Sequence, residues 1–499
     1  MERDRIAWLT PWRQALLEAG LVFVAALLLS RWQVARWDGF LDFDGHFHLR
    51  VAQWIAHFGL WTDLPWLPYT VLGEHGPDHQ WLFHLSLVPY TWLGDQDAAL
   101  AWATAGNAAL VPAILTFTMR MLRVPAAPVF ALLAVTAGEY MPYRLLMLRA
   151  QNIAIVFMVL SVWAIAKKRY RVLLLLAFLF LESYHAAVVL FPIAALGCVV
   201  HSALQRRPVV APLVAVGAGE ALALLVSPWF PRNIEFILFH VLYKTANPLY
   251  GDQVSSLIGN EWYPALWRNL LLDSWPAHVL LAVSVASLAL RAHRERAWRP
   301  PIETLLAVGV ALLSLGLYWK AVRFGEYYIP FCALAAGLAV RDTWPAASLT
   351  RGRIAALVAA AAVFASVGVA QLGRITLLPR DYLASVGERL NELGRPGELV
   401  FNSRWTDFSA LVWWADTFGY VNGLDGHFLA YRDPARLALW LALGAGMVED
   451  PVGVIARSFG ARFVVVAPPH AALAQQLLKS PRVVERVASR DGWLFEIKQ

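Results

Sequence analysis

Runs of about 17–25 apolar residues, the length an α-helix needs to cross ~30 Å of hydrocarbon, recur along this 499-residue chain and constrain it more than any other feature. They lie at 15–29, 98–119, 125–140, 152–166, 172–182, 185–204, 209–228, 275–290, 303–319, 325–340 and 354–373. The pattern predicts about eleven transmembrane helices. The run 172–182 is short, and is expected to be tilted, broken or fused with its neighbour. Composition agrees: 59% of the residues are hydrophobic and 15% charged, against about 25% charged in a soluble globular chain. Lipid must therefore cover much of the apolar mass.

The net charge of +7 does not form a basic face. It sits in short clusters between apolar runs, a membrane-topology pattern that argues against a nucleic-acid partner. Arg120 and Arg123 follow the second run, and Lys167, Lys168, Arg169 and Arg171 the fourth. Arg206 and Arg207 follow the sixth, Arg291, Arg294, Arg296 and Arg299 the eighth, and Arg341, Arg351 and Arg353 the tenth. Every cluster falls in an alternate connection, on the same side as Arg3, Arg5 and Arg13. The positive-inside rule then predicts a cytoplasmic N-terminus and an extracytoplasmic tail. No small-residue cleavage site precedes Arg31–Trp37, so the first run is expected to be a retained span. Cys198 and Cys332 both lie inside apolar runs and form neither a disulfide framework nor a CxxC zinc pattern.

The resulting organisation is a transmembrane domain over 1–375, with outer loops at 32–97 and 230–274, followed by an extracytoplasmic domain over 376–499. The tail alternates strand-like runs, Leu399–Asn402 and Arg462–Ala467, with helical stretches, Leu437–Leu443 and Ala471–Leu478. It reads as a small α/β domain, long enough to bury its own core.

Five polar stretches interrupt this frame. The first outer loop opens Asp42-Phe43-Asp44-Gly45-His46-Phe47-His48-Leu49-Arg50, and Leu49, Val51, Trp54, Ile55 and Phe58 form an apolar stripe suited to a helix lying on the bilayer surface. Asp44 and His48 share a face of that helix; alternatively Asp44 is only its N-cap. At the outer end of the third and fourth runs come Tyr143-Arg144 and Arg149-Ala150-Gln151-Asn152. Arginine at a membrane boundary either snorkels or finds an anion. The second outer loop carries Asn260-Glu261-Trp262-Tyr263-Pro264-Ala265-Leu266-Trp267 after Ser255 and Ser256. Arg323 and Glu326 enter the tenth run and stand close enough to pair with each other. The tail holds Trp405-Thr406-Asp407-Phe408, with Asp407 a candidate cap, and Gly423-Leu424-Asp425.

Taken in order, these stretches resemble the catalytic subunits of oligosaccharyltransferases, within the GT-C glycosyltransferases that use polyprenyl-phosphate-linked sugars. That family's first loop carries an acidic residue, Phe, Asp, then Pro, two aromatics, Asn, an aromatic and Arg; Asp42-Phe43-Asp44 and Arg50 match its spacing. Asn260-Glu261, Pro264 and Trp267 match its late outer loop, Arg323 and Pro330 its arginine and proline at a span entrance, and Trp405 and Asp407, loosely, its Trp-Trp-Asp acceptor motif. The chain departs from the family at Gln151-Asn152-Ile153, where a metal-ligand carboxylate is expected, and at Thr406, which interrupts the tryptophan motif. A related transferase is implied rather than a sequon-reading one.

The resemblance implies an inverting glycosyltransferase of GT-C-like fold in the bacterial inner membrane. Its partners would be a polyprenyl-linked sugar donor, a glycan, lipid or protein acceptor, and the bilayer. Asp44, with Asp42 and Glu261, would be catalytic, Asp44 serving as the acceptor's base. Arg149, Arg323 and Arg144 would hold the departing phosphate, which needs positive charge more than acid help. Trp405, Asp407 and Trp262 would meet the acceptor. A divalent cation, magnesium or manganese, would have Asp44, Glu261 and His48 as ligands, although magnesium prefers carboxylates and water. A transporter is the main rival, but it would bind substrate at the bilayer midplane between repeats. The chain shows no repeat and gathers its ionisable residues at span ends. A non-catalytic assembly subunit is the third reading.

Overall fold

The computed structural model describes residues 2–498 apart from 75, 139, 241–256, 258, 268, 297, 344–351, 353–354, 356–357, 360, 364–365, 367, 369–372 and 374. The chain divides into two compact units. The first comprises Met1–Trp37, Leu93–Val226 and Asn260–Thr376; the second comprises Asp38–Trp92, Ser227–Gly259 and Leu377–Gln499. A unit boundary falls between Thr376 and Leu377, and residues 38–92 and 227–259 group with the tail.

The first unit is helical. Each apolar run up to 325–340 is a helix, and the run 354–373 lies largely outside the described residues. Among the described residues, Pro11–Ala35, Gln96–Met121, His185–Gln205, Trp275–Arg294 and Ile302–Lys320 are long and apolar enough to cross a bilayer, while Ala127–Thr136, Gln151–Ala166 and Ala211–Val226 are shorter apolar helices. A helix satisfies its own backbone groups, which is what hydrocarbon demands of a spanning segment. The chain is an integral membrane protein. The short run 172–182 is a separate helix, Tyr170–Ser183. Tyr184 turns extended (φ −167°, ψ 125°) and breaks it from the 3-10 turn His185–Val189, which leads into Leu190–Gln205.

Burial sorts these helices. Only 6% of the apolar window of Pro11–Ala35 is buried, so Leu17, Leu21 and Leu29 are left for lipid, whereas 78% of the window of Gln96–Met121 is buried. Small residues set the closest contacts. A Cβ at Gly219 would stand 2.3 Å from the Leu174 carbonyl oxygen, so Ala211–Val226 can approach Tyr170–Ser183 this closely only with glycine there. Charged side chains tie helix ends together: Arg120 pairs with Glu18, Lys167 Nζ with Glu303 Oε1 at 2.6 Å, and Arg341 Nη2 with Glu303 Oε2 at 4.0 Å. Arg341 also donates to the Leu122 carbonyl at 2.9 Å.

The second unit is built on a mixed sheet. Two short strands, β1 (Gly39–Phe40) and β2 (Leu378–Pro379), pair antiparallel. The strands β3 (Leu399–Asn402), β4 (Gly419–Tyr420), β5 (Phe463–Val466), β6 (Val483–Ser489) and β7 (Gly492–Ile497) form one sheet in the order β4-β3-β5-β7-β6. β3 runs parallel to β4 and β5, and β7 runs antiparallel to β5 and β6. Strands β3 and β5 match the two predicted from the sequence, and Pro434–Gly444 and Ala471–Leu478 match the two predicted helical stretches. Asp433 caps the former by accepting from the Arg436 amide at 2.8 Å.

Alternate residues along a strand point to opposite faces, and here both faces are covered. Phe401, Val464 and Val466 join Trp440, Ile455, Leu473 and Phe495 in one core. Val400, Phe463 and Val465 join another that contains Phe43, Phe47, Val51 and Ile55 of the first loop, with Trp61, Trp66 and Leu67. The tail thus builds one core almost wholly from its own residues and shares the other with the first loop. The same packing corrects the reading of the helix Asp44–Phe58. Val51 and Ile55 of its apolar stripe face this protein core, with Leu49 also buried and Trp54 packed against it. Phe58 is the exposed member, at 73%. An apolar stripe specifies burial, and protein meets that need here as lipid would elsewhere.

Candidate functional site

Three of the predicted arginines converge in the first unit. Arg144 comes from the short helix Tyr140–Leu145, Arg149 from the turn before Gln151–Ala166, and Arg323 from the 3-10 turn Val322–Phe324. All three meet the carboxylate of Glu261, on the 3-10 turn Asn260–Trp262. Arg144 Nη1 lies 2.5 Å and Arg149 Nη1 3.4 Å from Glu261 Oε2, and Arg323 Nη1 lies 3.2 Å from Oε1. Arg144 Nε also donates to Glu326 Oε2 at 2.8 Å, and Arg323 Nη2 to the Tyr184 hydroxyl at 3.0 Å. The Arg323 guanidinium sits 4.2 Å from the Trp262 ring centroid, a cation–π contact.

These arginines do not snorkel; carboxylates hold them. Glu326 joins Arg144 by a hydrogen-bonded ion pair, while Arg323 makes its ion pair with Glu261, so the sequence-adjacent pairing of Arg323 with Glu326 is replaced. Burial alone would raise the Glu261 carboxyl, but Arg144, Arg323 and Arg149 outweigh it and hold the group well below the usual carboxylate range. Asn152, close by in sequence, serves the fold: its Nδ2 donates to the Leu145 carbonyl at 2.9 Å.

The second unit holds the other candidates. Asp44 is the first residue of its helix, yet Phe43 is the cap residue and makes no side-chain cap bond. Asp44 Oδ1 instead accepts from Ser409 Oγ of the tail at 3.3 Å. His48 is buried, with Nδ1 2.8 Å from His84 Nε2, and His84 Nδ1 lies 2.7 Å from Asp78 Oδ2. Arg50 donates to the Trp413 carbonyl at 2.7 Å and lies 3.5 Å from Asp416. His46 is fully buried among the rings of Phe40, Phe43 and Trp413; burial first, and then Arg50, lower its pKa to about 3. Asp42 is partly buried just before the helix.

Trp405 is partly buried, on a 3-10 turn with Asp407. Asp407 makes no side-chain cap bond; it accepts from the Tyr382 hydroxyl at 2.9 Å and lies 3.7 Å from Arg404. Burial raises its pKa to about 6 against the pull of Arg404 and Tyr382. Asp425 caps Gly426–Arg432 and bonds the His427 ring at 2.8 Å.

Sequence reasoning missed Tyr184, Asp78, His84, Tyr382 and Ser409. Tyr184, His84, Tyr382 and Ser409 meet Arg323, His48, Asp407 and Asp44 across gaps in the chain, and a lone Tyr or Ser carries no spacing signal. Ser255 and Ser256 lie outside the described residues. Among the described residues, no three His, Cys, Asp or Glu side chains are arranged to hold a metal ion. Of the residues named as ligands, Glu261 is paired with three guanidiniums and His48 Nδ1 lies 2.8 Å from His84 Nε2.

No family model and no curated protein matches the chain. Solved structures do. The apo oligosaccharyltransferase of Archaeoglobus fulgidus superposes with a TM-score of 0.62 at 14% identity, over 93% of this chain and 71% of that one. The enzyme AglB of the same organism, in complex with an inhibitory peptide and a dolichol-phosphate, gives 0.61 at 13% identity, over 91% and 69%. ArnT of Cupriavidus metallidurans, bound to undecaprenyl phosphate, gives 0.60 at 15% identity, over 95% and 97%. The fold is thus the one that the sequence motifs imply: a polytopic GT-C-like membrane protein with a small C-terminal α/β domain.

Proposed function

We propose that this protein is a glycosyltransferase that takes a sugar or oligosaccharide from a polyprenyl-phosphate-linked donor and passes it to an acceptor on the extracytoplasmic face of the bacterial inner membrane. The observation that carries the reading is the convergence of Arg144, Arg149 and Arg323 on a single carboxylate. Guanidiniums match phosphate oxygens in geometry and charge, and a departing polyprenyl phosphate needs such charge where its own develops. Two of the structural neighbours hold polyprenyl phosphates, undecaprenyl phosphate and dolichol-phosphate, which supports this donor class for the present chain.

Asp44 is the proposed base. It removes the proton of the acceptor nucleophile as that atom attacks the anomeric carbon. The bond to the phosphate oxygen breaks, the electron pair leaves with the phosphate, and one displacement inverts the centre. Asp42 is assigned to the same acidic loop, and Trp405, Asp407 and Trp262 to acceptor binding. No step is routed through a metal. Transfer of radiolabelled sugar from a polyprenyl-linked donor by the purified chain tests the proposal. A transporter would bind the glycan without cleaving it, and an assembly subunit would do neither.

A further inference from the structure

Of the two carboxylates in the arginine cluster, one is built in and one is not. Glu326 projects from the buried helix Gly325–Thr343 and its side chain is 2% exposed. Glu261 sits on a single 3-10 turn and is 22% exposed, and Tyr263, Leu266 and Trp267 beyond it lie in the open. The segment also meets the entrance of Gly325–Thr343: the Val322 amide donates to the Tyr263 carbonyl at 3.0 Å, and the Trp262 ring lies against Arg323 and Phe324. Yet Glu261 presents two oxygens to three guanidiniums, as a phosphate would. The three arginines and the two glutamates together carry +1.

We propose that Glu261 is the resident occupant of the donor's anion site, and that a polyprenyl phosphate enters by exchange with it. This rests on the donor assignment above. When no lipid is bound, Glu261 pairs with all three guanidiniums, and Glu326 pairs with Arg144 besides. The phosphate then takes over its contacts, and the turn 260–262 swings out with its carboxylate toward water. Glu261 is thereby a competitor for the donor rather than a ligand to it.

Undecaprenyl phosphate titrated into the full chain in nanodiscs tests the exchange. Glu261→Gln should bind it about tenfold more tightly than the native chain, and Glu261→Asp, with shorter reach, to an intermediate degree. Arg149→Gln should bind more weakly. In the native chain, hydrogen exchange at the 260–262 amides should speed up when the lipid binds, a reading that does not depend on how any variant folds. Weaker or unchanged binding by Glu261→Gln, or added protection of 260–262, overturns the exchange. The donor assignment fails separately, if native chain and Arg149→Gln bind the lipid equally or neither binds it.

Discussion

Asp407 carries its charge in a place that resists charge. It is 3% exposed, and burial lifts its pKa to about 6 against a partly exposed Arg404 and the Tyr382 hydroxyl. The folded protein therefore keeps a proton that the unfolded chain, with a carboxyl near 3.9, has already released. Stability from this group is fully present below about pH 4 and is lost as pH rises through about 6, by up to about 3 kcal/mol. Asp407→Asn holds the neutral state at every pH. The Tm difference between variant and native protein should thus move in the variant's favour from pH 4.5 to 7.5, and a constant difference would show that the carboxylate is ionised throughout. Asp44 poses the opposite case. It is not a cap, and asparagine preserves the acceptor for Ser409 Oγ. Asp44→Asn should leave Tm in place and lower turnover by about 10²-fold or more, the usual worth of a general base. Native turnover in that variant removes the base assignment.

At the scale of elements, the arginine cluster separates folding from binding. Arg144 ties the helix Tyr140–Leu145 to the helix Gly325–Thr343 through Glu326, with both side chains nearly inaccessible. Arg144→Gln strands Glu326 without its pair and should destabilise by about 3–5 kcal/mol, read as a lower Tm. Arg149 is more exposed and its contact with Glu261 is long. Arg149→Gln should leave Tm nearly unchanged and weaken donor binding by about 1.5–3 kcal/mol; a large loss of Tm there would make the residue structural. What the sequence disclosed follows the same division. Apolar length is a local property, so the helices from 15–29 to 325–340 were legible, as were β3 and β5 from their apolar runs. Partnership is not local. Arg144 and Glu326 are 182 positions apart, and Asp44 and Ser409 are 365 apart. The near-continuous apolar runs of β3 and β5 implied cover on both faces, but nothing in them said that the first loop supplies one side.

For the whole molecule, orientation decides whether the proposed chemistry has access to a lipid-linked donor presented outside the cytoplasm. The basic clusters fall in one set of connections, and moving them across a bilayer is disfavoured. Arg207 follows the helix Leu190–Gln205 and is exposed, and Lys479 follows the helix Ala471–Leu478 of the tail and is exposed. The two native cysteines, Cys198 and Cys332, are free and buried, so each introduced thiol reports alone. Lys479→Cys should react with a membrane-impermeant maleimide added to intact spheroplasts, and Arg207→Cys should react only after the membrane is opened. Both substitutions exchange a solvated charge for a small side chain and should cost within about 0.5 kcal/mol. The reverse labelling pattern would place the tail in the cytoplasm. The extracytoplasmic reaction would then have to be abandoned, whatever the arginine cluster binds.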